Sequence, residues 1–351
     1  MSMSDTTRLP SSLSETDLPL VGGSSSRLFL MLSFIGMFIM TISALGLATH
    51  QGWFRTPPLP TAIVPIDWPQ DPLITTTARR SLSSHGLTPA PDPRLIEIIP
   101  EGTLPIRADD GATPLKIYAR PLPPLTEANS KMPTVALILR GAGIGQLATL
   151  EASLRLPPDI SFALSPYARE IGRQLDEIRE EGHEVFLDIP VMSRNQGFED
   201  LGPEALVPAA GEAENLARLK WSMARVAGYA GLLALPGSAD IISADLKDLL
   251  FKQAEARGLG LIVHSPIEPL SLASQPEQAA IDISIARDAP AAMIDNALDQ
   301  LTADAQHKGS AIGVAVITPL AIERLKKWSE GLSAKGVRLV PASAALMRAG
   351  Q

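Results

Sequence analysis

Apolar and polar positions divide the chain into three textures. From Leu28 to Thr49 runs a stretch of 22 residues without a charge, interrupted only by Ser, Thr and Gly. As a helix it would be about 33 Å long, enough for the hydrocarbon core of a bilayer, and a soluble core helix would be expected to show a polar face. The pattern predicts a transmembrane anchor over 28–49. Gly46-Leu47-Ala48 resembles a signal-peptide cleavage site, but a polar leader of 27 residues and so long an apolar run favour an uncleaved helix. Arg8 and Arg27 precede the span and Arg55 follows it closely, which orients the N-terminus to the cytoplasm.

Residues 1–27 are rich in Ser, Thr and Asp and have no apolar period, so they are expected to be disordered. Sixteen of the 31 prolines fall between Thr56 and Pro133. Proline removes an amide donor and pushes its predecessor into extended conformations, so 50–132 reads as a spacer, with short strands at Leu95–Ile99 and Leu115–Tyr118.

After Pro133 short apolar runs alternate with longer amphipathic ones. Strands are predicted at Thr134–Leu139, Ile160–Leu164, Glu184–Ile189, Ala230–Leu235, Gly260–His264, Ile281–Ser284, Ala311–Ile317 and Val337–Val340. Helices are predicted near 145–155, 168–181, 211–227, 243–257, 289–306 and 319–335. Gly182, Gly228, Gly258, Gly309 and Gly336 each end a helical run just before a strand. Strands apolar along their whole length are buried on both faces and need helices outside them. A doubly wound sheet or an α/β barrel satisfies that demand, and the ratio of strands to helices favours an incomplete barrel over 133–351. In either architecture the ligand site lies at the carboxyl ends of the strands, near Arg140, Ser165, Asp188, Leu235 and His264.

Charge and composition narrow the chemistry. A net charge of −8 argues against nucleic acid as a partner. With no cysteine, disulfides, thiolate zinc sites and a cysteine nucleophile are excluded. Gly141-Ala-Gly143-Ile-Gly145 opens a helix after a strand, but its spacing and the missing acidic residue do not meet the dinucleotide fingerprint, so it reads as a tight turn. Asp188 and His264, at predicted strand ends, are the candidate catalytic pair. Ser238 or Ser265 would complete a Ser-His-Asp set, although no Gly-x-Ser-x-Gly elbow occurs. Arg140, Glu268 and Ser238 are candidate substrate-binding residues. His183 and His307 read as structural, and Trp221 as packing.

The segments Val135–Gly143, Ile160–Tyr167, Gly182–Pro190, Leu219–Arg225 with Gly237-Ser238, and Gly309–Ile312, taken in that order, resemble the divergent polysaccharide deacetylase family of bacterial envelopes. The resemblance covers about 133–345. It implies an incomplete, distorted (β/α) barrel and descent from hydrolases in which strand-end carboxylates and imidazoles hold a divalent metal. At positions where the family pattern carries ligands this chain reads Arg140-Gly141, Leu235 and Ala315-Val316-Ile317, with Asp188 and His264 exchanged in type. A guanidinium offers donors only and cannot be deprotonated, so no metal or other cofactor is expected, and Arg140 would stand in for the metal by pairing with Asp188 or Glu268. With the anchor over 28–49 and these changed positions, the expectation is a single-pass inner-membrane protein with a periplasmic domain that binds an envelope polysaccharide or a periplasmic or membrane protein without hydrolysing it. The alternative is an active deacetylase of N-acetylated sugars, with zinc in a rearranged site.

Overall fold

The computed structural model describes residues 86–122, 126, 130–192, 201–236, 242–264 and 278–349, and Met37 apart from them. The chain divides into two units, Met1–Leu73 and Ile74–Gln351, and every described residue except Met37 belongs to the second. Apart from Met37, the expected leader, the anchor over 28–49 and the first part of the spacer lie outside the described residues. Among the described residues no helix is long and apolar enough to cross a membrane.

The repeating unit is a short apolar strand followed by a helix. In chain order these are β3 (Thr134–Ala142), α2 (Gln146–Arg155), β4 (Ser161–Leu164), α3 (Ile171–Glu180), β5 (Val185–Ile189), α4 (Glu212–Ala224), β6 (Gly231–Ala234), α5 (Ala244–Arg257) and β7 (Gly260–Val263). Then come β8 (Gln278–Ala280), β9 (Ile283–Ile285), α6 (Ala291–Lys308), β10 (Ser310–Val316), α7 (Pro319–Gly331), β11 (Arg338–Leu339) and α8 (Ala342–Ala349). The strand–helix alternation matches the expectation closely. All five expected helix-ending glycines have positive φ; at Gly258 and Gly309 the left-handed residue caps α5 and α6 directly.

The strands pair in parallel in the order β8-β7-β6-β5-β4-β3-β10-β9, with β11 added beside β3. Because β8 and β9 follow one another in the chain, the two margins of the sheet are one stretch, 278–285. Within it Ile281 donates its amide to Val263 of β7, and Asp282 donates to Ile312 of β10. Asp282 fixes this crossing, since its carboxylate also accepts from the Ile312 amide and from the Lys308 ammonium, both at 2.8 Å. The result is a parallel α/β barrel with seven positions, one short of the usual eight.

Alternation along the strands sorts side chains into two cores. Val135, Leu137 and Leu139 of β3, with Phe162, Leu187 and Leu232 of the next strands, pack outward against the helices. Ala136, Ile138, Ala163, Phe186, Leu233, Ile262, Ile312 and Val314 point inward and form a second cluster.

That inner cluster also contains Leu95, Leu115 and Tyr118, and Ala342, Ala345 and Leu346 of α8. Two elements therefore stopper the amino-terminal end of the barrel. Gly260 makes room for them, because a Cβ there would stand 2.7 Å from Leu346 and 3.1 Å from Leu115. The buried Glu184 carboxylate ties both to the barrel. It accepts from the Ser161 hydroxyl at 2.8 Å, from the Arg120 amide at 3.1 Å and from the Ser343 amide at the start of α8 at 2.8 Å.

This corrects the expectation of a spacer over 50–132. Residues 86–122 belong to the domain: β1 (Ile96–Ile99) and β2 (Gly102–Pro105) form a hairpin, and 114–118 is a helix, α1 (Pro114–Tyr118), rather than a strand. Thr113 caps α1 and Pro114 occupies its first position, a start that proline favours instead of opposing. His183 is structural, as expected; its ring is fully buried, edge-on to Phe162, with its nitrogens facing the carbonyls of Ile160 and Ser153.

If residues 86–122 are part of the core, Leu115→Ala should destabilise the full chain by about 2–5 kcal/mol, the usual result of emptying a buried leucine site. Urea denaturation followed by circular dichroism would show it. A stability unchanged from wild type would return the segment to the role of a spacer.

Candidate functional site at the barrel mouth

The carboxyl ends of the inward-facing positions bring together Arg140 of β3, Ser165 just beyond β4, Asp188 of β5, and His264 just beyond β7. Each lies two residues past a member of the inner cluster, Ile138, Ala163, Phe186 and Ile262 respectively. Leu235 and Val316 occupy the corresponding places on β6 and β10, so the ring is part polar and part apolar.

Arg140 is aimed by a β-bulge. The pairing of β3 with β4 shifts between Arg140 and Ala142, and Gly141 between them has φ of +81°. The extra residue breaks the alternation, so that Ala142 joins the outer core while Arg140 stays inside. Arg140 lies opposite Ala163 of β4, which in turn lies opposite Phe186 of β5. Asp188 lies two residues beyond Phe186, so the guanidinium reaches both across β4 and toward the mouth. Its Nε donates to Asp188 Oδ2 at 3.0 Å, with side-chain exposures of 14% and 10%.

Three polar groups remain uncommitted. Among the described residues, Asp188 Oδ1 and His264 Nδ1 are both buried without a hydrogen-bond partner. The Ser165 hydroxyl accepts the Tyr167 amide at 3.3 Å, which leaves its own proton free to donate. Burial holds the His264 pKa below its ordinary value, which favours the neutral ring.

The structure places Asp188 and His264, the expected catalytic pair, on separate strands. β6 lies between β5 and β7, which sets their backbones about 10 Å apart, and the free atoms of the two side chains do not bond each other. Ser238, Ser265 and Glu268 lie outside the described residues. Of the two partners expected for Arg140, the structure brings Asp188 to it. The sequence pattern puts Ser165 near the mouth without giving it a role; its hydroxyl joins the site because it ends β4, the strand that Arg140 crosses. Of the expected Gly141-Ala-Gly143 turn, Gly141 and Ala142 belong to the bulged end of β3 and the turn begins at Gly143, which at φ of +83° packs against Ala168.

Residues 137–346 match the divergent polysaccharide deacetylase family. The chain belongs to that family. Among solved structures, an uncharacterized protein of Agrobacterium tumefaciens C58 is similar at 27% identity and a TM-score of 0.61, over 70% of this chain and 99% of that one. A Mycobacterium smegmatis protein named as a candidate polysaccharide deacetylase is similar at 12% identity and a TM-score of 0.42, over 66% of this chain and 94% of that one. A mutant of a CE4-family pseudoenzyme with restored activity follows at 14% identity and a TM-score of 0.35, over 61% and 68%. The last two likenesses are too loose to bear on this chain's chemistry. No curated protein matches the chain.

Divergent polysaccharide deacetylases are related to metal-dependent esterases, so a divalent ion is the group whose fit to the mouth matters. Among the described residues no three His, Asp or Glu side chains are placed to hold a metal. The one mouth carboxylate among them already carries a guanidinium, and a cation beside it would meet like charge. The donor set among the described residues does not fit the ion.

Removing one partner of a buried ion pair strands the other. Arg140→Ala is therefore expected to destabilise the full chain by about 3–5 kcal/mol, whereas the apolar double substitution Arg140→Met with Asp188→Leu should recover most of that loss. Chemical denaturation of the variants would measure both. An Arg140→Ala protein as stable as wild type would mean that the pair contributes nothing to the mouth.

Proposed function

We propose that this member of the divergent polysaccharide deacetylase family is a single-pass inner-membrane protein whose periplasmic barrel binds a cell-envelope polysaccharide without removing its acyl groups. The observation that carries the reading is the Arg140–Asp188 contact at 3.0 Å. In a working metal hydrolase the corresponding charge position belongs to an ion that activates water; here a permanent, donor-only cation takes it. The scaffold around it is intact: the barrel, its stopper and the bulge that aims Arg140 all remain. Buried, unsatisfied polar atoms on the same ring of strand ends as apolar Leu235 and Val316 would suit a ligand with both hydrogen-bonding and carbon faces. The membrane part of the proposal is supported by the uncharged run from Leu28 to Thr49.

The rival reading, an active deacetylase with a rearranged site, requires carboxylate and imidazole in contact or joined through a metal such as zinc. The strand between Asp188 and His264 counts against it.

Incubating the full chain with chitooligosaccharide and with peptidoglycan fragments, and following both acetate release and retention of the glycan, separates the two. Retention without acetate is expected. Acetate release that is abolished by Asp188→Ala would overturn the binding role in favour of catalysis.

A further inference from the structure

The uncommitted atoms at the mouth have a charge pattern that says more than that a glycan fits. Asp188 Oδ1 is a buried acceptor with no donor among the described residues, on a residue only 8% exposed. Immediately beside it, Arg140 spends its Nε on Oδ2, and no contact among the described residues takes its two terminal nitrogens. Ser165, on the strand between them, has a hydroxyl proton to give. Acceptor and donors stand side by side, and the formal charges of Arg140 and Asp188 sum to zero.

An anionic group placed on the Arg140 terminal nitrogens would lie next to the Asp188 carboxylate. An ammonium placed on Asp188 Oδ1 would lie next to the guanidinium. In a half-buried setting each like-charge approach is far less screened than in water, and the desolvation of the incoming charge adds to it. A neutral group that donates and accepts through adjacent atoms meets neither obstacle. A pair of sugar hydroxyls does so, one donating to Asp188 Oδ1 and one accepting from Arg140, and an amide does so through its N–H and carbonyl.

Building on the glycan-binding role proposed above, we infer that the mouth is selective for charge: Arg140 and Asp188 together admit uncharged sugar units and reject both carboxylated and free-amino ones. Each half of the pair excludes one sign of charge. Removing either half should invert the selectivity toward the sign that half excluded, and removing both should leave a mouth with no preference of sign.

Calorimetric titration of the full chain at about pH 6, where amino sugars are cationic, tests this with four probes: cellohexaose, chitohexaose, a fully deacetylated chitosan hexamer, and hexagalacturonate. Wild type is expected to bind the two neutral oligosaccharides about tenfold or more tighter than either charged one. Asp188→Asn, which removes the carboxylate, should gain about tenfold for hexagalacturonate, and Arg140→Gln the same for the chitosan hexamer. The double variant Arg140→Gln with Asp188→Asn should bind both charged probes alike, and it tests the assignment even if a single variant fails to fold. Charged probes bound by wild type as tightly as neutral ones would overturn the selectivity and leave the glycan role standing. Wild-type selectivity that persists unchanged in the variants would remove Arg140 and Asp188 as its source. Binding of no glycan at all would overturn the glycan role together with this inference.

Discussion

The site depends on a single contact, the reach of the Arg140 guanidinium across β4 to the Asp188 carboxylate. Alternation along β3 turns Arg140 into the barrel, and the glycine-centred bulge just after it sends Ala142 outside. Each of these is a local feature of β3 or β4, yet together they decide the chemistry of the mouth. The contact sets a guanidinium on the one mouth carboxylate among the described residues.

The remainder of the fold closes the barrel beneath that mouth. At the far end the inner cluster is closed by Leu115, Tyr118 and Leu346, and a buried carboxylate, Glu184, binds the stopper to β5 by receiving amides from both of its elements. At the side, the segment 278–285 serves β7 and then β10, with Asp282 as the clamp. Fewer strands than a full barrel thus still enclose one core, and the polar groups at the open end are fixed by side chains packed on the strands beneath them.

Much of this was legible in the residues. Continuous apolar strands, amphipathic helices and glycine stops pointed to the strand–helix order and the barrel, because burial on both faces leaves a plain pattern. Arg140 and Asp188 stood out since charged residues at the ends of such strands must face the mouth. What could not be read was long-range or masked by composition. The prolines of 86–122 suggested a spacer, but Pro114 begins a helix and Leu115 and Tyr118 fill the barrel end, which depends on a cavity built by strands far along the chain. The separation of Asp188 from His264 comes from strand order, with β6 inserted between their strands, and neither residue's neighbours in sequence reveal it. The bulge at Gly141 read only as a turn, because its effect lies in pairing with β4.

Zinc titration of the metal-free full chain by calorimetry, with Asp188→Ala as control, tests the exchange of ion for guanidinium most directly. The Arg140–Asp188 contact predicts no stoichiometric, tightly held zinc in wild type. One zinc bound per chain, and lost in the Asp188→Ala protein, would contradict it.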